Sequence, residues 1–171
     1  ALCVHPEEFQ KFVSTLMIKP RGIKMALVDI LLNENNRENC VNDCVKLIDE
    51  QVATASGLGG LALKAAYSTV KGIRADYCAQ VVDQLLPQIS IALDPIWTEG
   101  VNNGNPVEYL AQRKAQVADE LLQISDKKVE NSTRAIVKGA YAKLRPSAKN
   151  YVEKGVPDLA EIINKHQSAA C

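Results

Sequence analysis

Apolar residues recur at intervals of three and four positions along almost the whole chain. In one stretch the apolar positions are Val41, Cys44, Val45, Ile48 and Val52. This spacing places the side chains on one face of an α-helix. Hydrophobic residues make up 47% of the sequence but aromatic residues only 5%, and an aliphatic, alanine-rich composition favours packed helices over a sheet. The predicted fold class is therefore all-α.

About eight helices are expected in a single domain over residues 1–171. The predicted organisation is an N-terminal helical addition (1–36), a first half (37–94) and a second half (105–166). Expected interruptions are a break at the glycines between Gly57 and Gly60, a kink at Pro87 and a loop from Asp94 to Asn105. The predicted helix starts lie near Pro6, Ile23, Arg37, Leu61, Arg74, Asn105, Ser132 and Pro146. The last predicted helix contains an internal proline, Pro157.

The sequence matches itself without gaps at an offset of 74 residues. Lys64 and Tyr67 fall on Lys138 and Tyr141, and Tyr77 falls on Tyr151. We interpret this as a repeated three-helix unit, packed about a pseudo-twofold axis, to which the first two helices are added. Independent helical patterning of the two halves is the alternative interpretation.

Several short motifs carry a resemblance to a known family. They are Gly59-Gly60-Leu61-x-Leu63-Lys64-x-Ala66-Tyr67, Leu85-Leu86-Pro87, Glu120-Leu121-Leu122-x-x-x-Asp126 and Lys138-x-Ala140-Tyr141-x-x-Leu144-Arg145. Over about residues 45–165 the chain resembles an uncharacterised all-helical domain family of bacterial, notably actinobacterial, proteins. The resemblance implies a helical fold and no particular activity.

The charge balance excludes some classes of partner. Twenty basic residues face twenty acidic ones, whereas nucleic-acid-binding proteins carry a basic surplus or a basic stripe. No apolar run approaches the length of a membrane-spanning helix. We therefore expect neither a nucleic-acid partner nor a transmembrane segment. The first residue is Ala1 rather than Met, which indicates removal of an initiator Met, a signal peptide or a tag.

The five cysteines leave two interpretations open. Cys40 and Cys44 lie one helical turn apart, a spacing that is poor for a bond between them. In an oxidising compartment, disulfides from these two to Cys3 and Cys78 are expected, with Cys171 left over. In the cytosol all four act as small buried apolar residues. We favour the oxidising compartment, because Cys40 and Cys44 share one face.

No motif in the sequence predicts catalysis or metal binding. The two histidines, His5 and His166, lie at opposite ends of the chain, where terminal or surface positions are expected. Zinc-ligand spacings and nucleophile motifs are absent from the sequence. We therefore predict a protein that is not an enzyme and has no metal or cofactor, apart from a bound lipid or pigment.

Five aromatic residues are candidates for ligand binding: Tyr67, Tyr77, Tyr141, Tyr151 and Trp97. Each combines a large apolar body with one polar atom, which suits either a core position or a pocket for an apolar ligand. The leading hypothesis is a carrier of a hydrophobic small molecule such as a lipid, fatty acid or pigment. The alternative is a protein-interaction or structural module, such as a homodimer involving Cys171.

Overall fold

A computed structural model describes residues 25–169, and this part of the chain consists of α-helices and short connections without a β-strand. The all-α prediction is confirmed. The helix predicted from Pro6 lies outside the described residues. The described helices are α1 (Leu27–Leu31), α2 (Arg37–Thr54), α3 (Gly57–Ile73), α4 (Tyr77–Asn102), α5 (Pro106–Gln112), α6 (Lys114–Glu130) and α7 (Ala135–Ala169).

The short helix α1 is held in place by α4. The backbone N–H of Leu27 donates to Asp94 Oδ1 at 2.8 Å, so a carboxylate from another helix satisfies one of the free amides at the start of α1. The start of α2 is held in a similar way, because Arg37 Nε donates to Asp83 Oδ1 at 2.6 Å. These two contacts attach α1 and the start of α2 to α4.

Helix α4 is longer than the sequence pattern predicts. The expected loop from Asp94 to Asn105 is wrong, since the helix continues past Pro87 and Pro95 as far as Asn102. The reason is tertiary burial: Ile96, Trp97 and Gly100 are all buried. Gly100 allows a close approach of α5, because a Cβ at this position would lie 2.7 Å from Pro106 Cα.

Helix α7 replaces two predicted helices. A break before Pro146 was expected, but Ala135–Ala169 form one helix of 35 residues with Pro146 and Pro157 inside it. Both prolines are exposed, so the carbonyl groups that lose an amide partner there lie toward solvent, where water can bind them. At a rise of 1.5 Å per residue, α7 spans about 52 Å.

The predicted helix start at Asn105 is confirmed. Its Oδ1 accepts the backbone N–H of Glu108 at 3.3 Å, its Nδ2 donates to Glu108 Oε2 at 2.8 Å, and Pro106 occupies the first turn. The pair differs from a standard capping box, because Glu108 accepts from the asparagine side chain whereas the backbone N–H of Asn105 donates to the carbonyl of Gly100 at 3.2 Å. The helix is shorter than expected, because the chain turns at Arg113 and α6 follows as a separate helix.

The buried apolar residues form two clusters. The main cluster joins all the described helices except α3, with Leu27, Leu93, Leu110 and Val117 among its fully buried members. The smaller cluster, Val52, Ala55 and Leu63, lies where α3 covers α2 and α7. Within residues 25–169, every helix is too short or too polar to cross a membrane.

Candidate functional site

A cavity of about 370 Å³ lies between the helices, and residues of both apolar clusters line it. We call it the central cavity. Its volume falls in the range of small-molecule sites and exceeds an engineered cavity of about 150 Å³ that holds benzene. Its walls are Leu31, Cys40, Cys44, Leu47, Ile48, Gln51, Val52, Leu63, Val81, Val82, Leu85, Leu86, Ile89, Leu121, Leu122, Ile124, Ser125, Tyr151, Val152, Gly155, Val156, Leu159 and Ile162.

The wall of the central cavity is almost entirely aliphatic. Besides the two thiols, its polar side chains are Gln51, Ser125 and Tyr151. Gly155 leaves room beside Gln51, because a Cβ on this glycine would be in ordinary van der Waals contact with Gln51 Cγ at 3.7 Å. Such a wall can hold an apolar molecule by the hydrophobic effect, with a few polar atoms to orient it.

A second groove, of about 280 Å³, lies on the outer side of α2 and α7. It is lined mainly by charged side chains, and Leu47 and Ile162 line both this groove and the central cavity. These two residues therefore stand between the groove and the cavity.

Cys40, Cys44 and Cys78 are free thiols. The predicted disulfide from Cys40 or Cys44 to Cys78 is therefore wrong, and the predicted bond to Cys3 involves a residue outside the described range. The reason is their position: Cys40 and Cys44 line the central cavity, whereas Cys78 lies at the start of α4 and is absent from its wall. The hydrogen bond with Cys40, together with burial, raises the pKa of the Cys44 thiol. A cysteine whose pKa is raised stays a neutral, weakly reactive thiol.

Among the five aromatic candidates, Tyr151 lines the central cavity. The hydroxyl group of Tyr151 lies beside α3, since a Cβ on Gly59 would be 3.0 Å from it. Trp97 lies in the main core instead, where its Nε1 donates to Gln167 Oε1 at 2.8 Å. Tyr77 contacts Arg134, whose guanidinium lies 6.0 Å from the ring centroid.

Tyr67 and Tyr141 each bind an aspartate on a neighbouring helix. Tyr67 donates to Asp49, and Tyr141 donates to Asp126 Oδ1 at 2.6 Å. Burial and the bond to Asp126 raise the pKa of Tyr141 to about 12, and burial raises the pKa of Tyr67 as well. The Tyr141 hydroxyl also forms a hydrogen bond with Ser125 Oγ at 2.9 Å. Ser125 lines the central cavity and Tyr141 does not, so Tyr141 holds a residue of the cavity wall in place.

Each of the two aspartates also pairs with a basic residue one turn after the tyrosine. Lys71 Nζ lies 2.9 Å from Asp49, and Arg145 Nε lies 2.8 Å from Asp126. The hydrogen bonds from Tyr67 and then Lys71 lower the pKa of Asp49, and those from Arg145 and then Tyr141 lower the pKa of Asp126. The two networks join α2 to α3 and α6 to α7.

His166 is buried rather than at the surface, contrary to the expectation from its place near the end of the chain. Its Nδ1 lies 2.6 Å from Asn36 Oδ1 and its Nε2 lies 2.8 Å from Asp43 Oδ2. The amide of Asn36 donates to the carbonyls of Ile30 and His166, which turns Oδ1 toward the ring. The two ring nitrogens therefore face two protein oxygens, Asn36 Oδ1 and Asp43 Oδ2.

This histidine attaches the end of α7 to the start of α2. Lys165 Nζ binds the same Asp43 oxygen at 2.8 Å, and its hydrogen bond is the main reason why the pKa of Asp43 is lowered. Both ring nitrogens contact protein oxygens, so neither is directed at open space where a metal or a substrate could bind. The sequence gives no signal for this cluster, because its members lie at opposite ends of the described chain. Residues 25–169 also contain no group of three side chains arranged to hold a metal ion.

The comparison with protein families gives a match over residues 27–167. The chain belongs to DUF6918, a family of unknown function. This confirms the resemblance to an uncharacterised helical family and extends it to α1 and the start of α2. Neither the curated proteins nor the solved structures contain a match to this DUF6918 chain.

Proposed function

We propose that this protein binds and carries a hydrophobic small molecule, of the lipid, fatty-acid or pigment type, in the central cavity. The observation that supports the proposal is the cavity itself, a partly open space of about 370 Å³ with aliphatic walls. Apolar side chains that line such a space lose packing contacts and remain exposed to water. A bound apolar molecule restores those contacts.

The experiment is a titration with Nile red, a neutral apolar dye, against the wild type and two glycine variants in α7. Gly155→Leu places a side chain in the cavity wall. Gly139→Leu is the matched control, since a Cβ at this exposed position would have open space around it. Both changes bring the same gain in helix propensity. We expect the wild type and Gly139→Leu to bind the dye, and Gly155→Leu to lose most of the binding.

Equal dye binding by a folded Gly155→Leu variant would place the dye elsewhere and contradict the proposal. If Gly155→Leu fails to fold, Val152→Phe fills the same cavity from a neighbouring position on α7. Organic extraction of the purified protein, with mass spectrometry of the extract, then identifies the natural cargo. Circular dichroism of each variant establishes that the helices are intact.

A homodimeric interaction module is the second candidate function. Leu58 and Leu61, one turn apart on α3, are 87% and 66% exposed. Exposed leucines on one helix face favour burial against a partner. Sedimentation under reducing and non-reducing conditions tests this candidate: a dimer that Leu58→Ser and Leu61→Ser together dissociate supports it, and a wild-type monomer under both conditions contradicts it.

We further propose that the two halves arose from a repeated unit, as the offset of 74 residues suggests. Tyr67 and Lys71 correspond at this offset to Tyr141 and Arg145. Support comes from their equivalent bonding, since each tyrosine–basic pair holds one aspartate of the preceding helix. The aspartates themselves are out of register by three residues, about one helical turn. Two copies of a repeated unit can differ by one turn in the position of this aspartate and still form the same tyrosine–aspartate hydrogen bond.

A further inference from the structure

The walls of the central cavity carry no formal charge. Among the described residues that line it, none is an aspartate, glutamate, lysine, arginine or histidine. A charged group inside an apolar cavity without a partner of opposite charge is strongly unfavourable. The part of a ligand that lies within this cavity is therefore uncharged.

The polar side chains lie toward one end of the cavity. Helices α2 and α7 run antiparallel, because Asp43 binds Lys165 while Gln51 lies beside Gly155. Gln51 and Tyr151 therefore lie together toward the end that α3 covers. The opposite end is formed by apolar groups and a thiol: Leu31, Cys40 and Ile162.

Two of these polar side chains have unused hydrogen-bonding capacity. The Tyr151 hydroxyl and the Gln51 side-chain amide form no hydrogen bond with another residue in the range 25–169. Ser125 differs, since its hydroxyl group binds Tyr141 and the carbonyl of Leu122. No buried polar side-chain atom among the described residues lacks a hydrogen-bond partner. The Tyr151 hydroxyl and the Gln51 amide therefore reach solvent, and an oxygen atom of a ligand would replace water at them.

The cavity is extended along α2 and α7. Along α7 its wall extends from Tyr151 to Ile162, and along α2 from Cys40 to Val52. At 1.5 Å per residue these segments span about 16 Å and about 18 Å. A volume of about 370 Å³ distributed over such a length suits one extended chain better than a fused ring system.

We infer that the central cavity binds an uncharged, single-chain lipid whose head carries a hydroxyl or carbonyl oxygen. The head lies between Gln51 and Tyr151 beneath α3, and the tail extends toward Cys40. This inference rests on the proposed carrier function and narrows its ligand class, because it excludes ionised fatty acids.

The test measures displacement of Nile red by three probes of equal chain length: 1-dodecanol, dodecane and dodecanoate at pH 8. We expect 1-dodecanol to bind about tenfold or more tightly than dodecanoate, which must bury a charge or leave it outside the cavity. The double variant Tyr151→Phe/Gln51→Leu is expected to weaken 1-dodecanol binding by about tenfold and to leave dodecane binding unchanged. Tyr109→Phe is the control, because Tyr109 binds Glu99 outside the cavity.

The outcomes separate this inference from the carrier proposal. Dodecanoate binding as tight as that of 1-dodecanol, or unchanged 1-dodecanol binding by the double variant, overturns the inference and leaves the carrier proposal standing. Failure of all three probes to displace the dye, with dye binding insensitive to Gly155→Leu, overturns the carrier proposal itself. The double variant removes no hydrogen bond within the described chain, so its fold is expected to be intact.

Discussion

Two glycines in α3 lie in different surroundings, one packed against backbone and the other in open space. A Cβ on Gly60 would lie 2.7 Å from the carbonyl carbon of Ala55, which is backbone and has little freedom to move. Gly60 is therefore a place where α3 begins close against the end of α2. Gly72, near the end of the same helix, has open space around the position of a Cβ.

Alanine substitution at these two glycines is expected to have opposite effects on stability. Gly60→Ala should lower the free energy of unfolding by about 1–3 kcal/mol, because the new methyl group overpacks the turn. Gly72→Ala should raise it by about 0.5–1 kcal/mol, since alanine loses less backbone entropy on folding. Urea denaturation of the two variants measures both changes, and a shift in the same direction for both would contradict this account.

Individual residues of the site were predicted unevenly. Tyr151 was among the candidates because of its pairing with Tyr77, and it lines the central cavity. His166 was expected at a terminal or surface position, because nothing near it in sequence reveals that Asn36 lies 2.6 Å away. Trp97 was a ligand candidate because its large apolar ring carries one polar atom, yet it lies in the main core. Which side chains surround an empty space depends on how helices far apart in sequence meet.

Helices are joined in pairs by the tyrosine–aspartate–basic networks. Asp126 accepts hydrogen bonds from Arg145 and Tyr141, and both lower its pKa. A carboxyl group whose pKa is lower in the folded state stabilises the protein at any pH above its unfolded-state pKa of about 3.9. That contribution is lost as the pH falls through the lowered folded-state value.

Replacing this aspartate should therefore have a pH-dependent effect. Asp126→Asn is expected to lower the free energy of unfolding at pH 7 by about 0.5–1.5 kcal/mol, a modest value because the pair is partly exposed. The difference from wild type should shrink as the pH falls below about 4. Urea denaturation at pH 7, 4 and 3 measures it, with the exposed Asp158→Asn on α7 as the control. If the two proteins still differ in free energy of unfolding by the same amount at pH 3, the negative charge of Asp126 does not account for the effect.

Helix boundaries were predictable where local signals and burial agree. The predicted start of α2 near Arg37 is observed, and an apolar stripe with polar residues before it coincides with burial there. Prolines misled the prediction at Pro95 and Pro146. A missing amide costs one hydrogen bond, whereas burial of neighbours such as Trp97 and Ala148 depends on contacts that local sequence does not specify.

For the molecule as a whole, the helical periodicity of the aliphatic residues predicts the fold class, but the cavity does not follow from it. Leu85 and Val152 have the same pattern as any core residue, although they border an empty space. Total side-chain volume and helix spacing decide whether such a space remains. The thiols of Cys40 and Cys44, which line the central cavity, allow its occupancy to be measured.

Thiol reactivity should report occupancy of the cavity. In a Cys3→Ser/Cys171→Ser variant, three thiols should react with Ellman's reagent in guanidinium without prior reduction, since Cys40, Cys44 and Cys78 are free. In the native protein Cys40 and Cys44 should react slowly, and saturating 1-dodecanol should slow them severalfold further. Cys78, outside the cavity wall, is the internal control, and fewer than three reactive thiols in guanidinium would reveal a disulfide.

Gly155 widens the central cavity beside Gln51, toward the end that α3 covers, since glycine adds no side chain to the wall there. Under the proposed function, the size of the side chain at position 155 therefore limits the length of the molecule that can bind. A single nucleotide change that introduces alanine or valine would shorten the space available to a chain while the seven described helices keep their packing. Under the proposed carrier function, homologues with the same helical scaffold can therefore differ in the ligand that they bind.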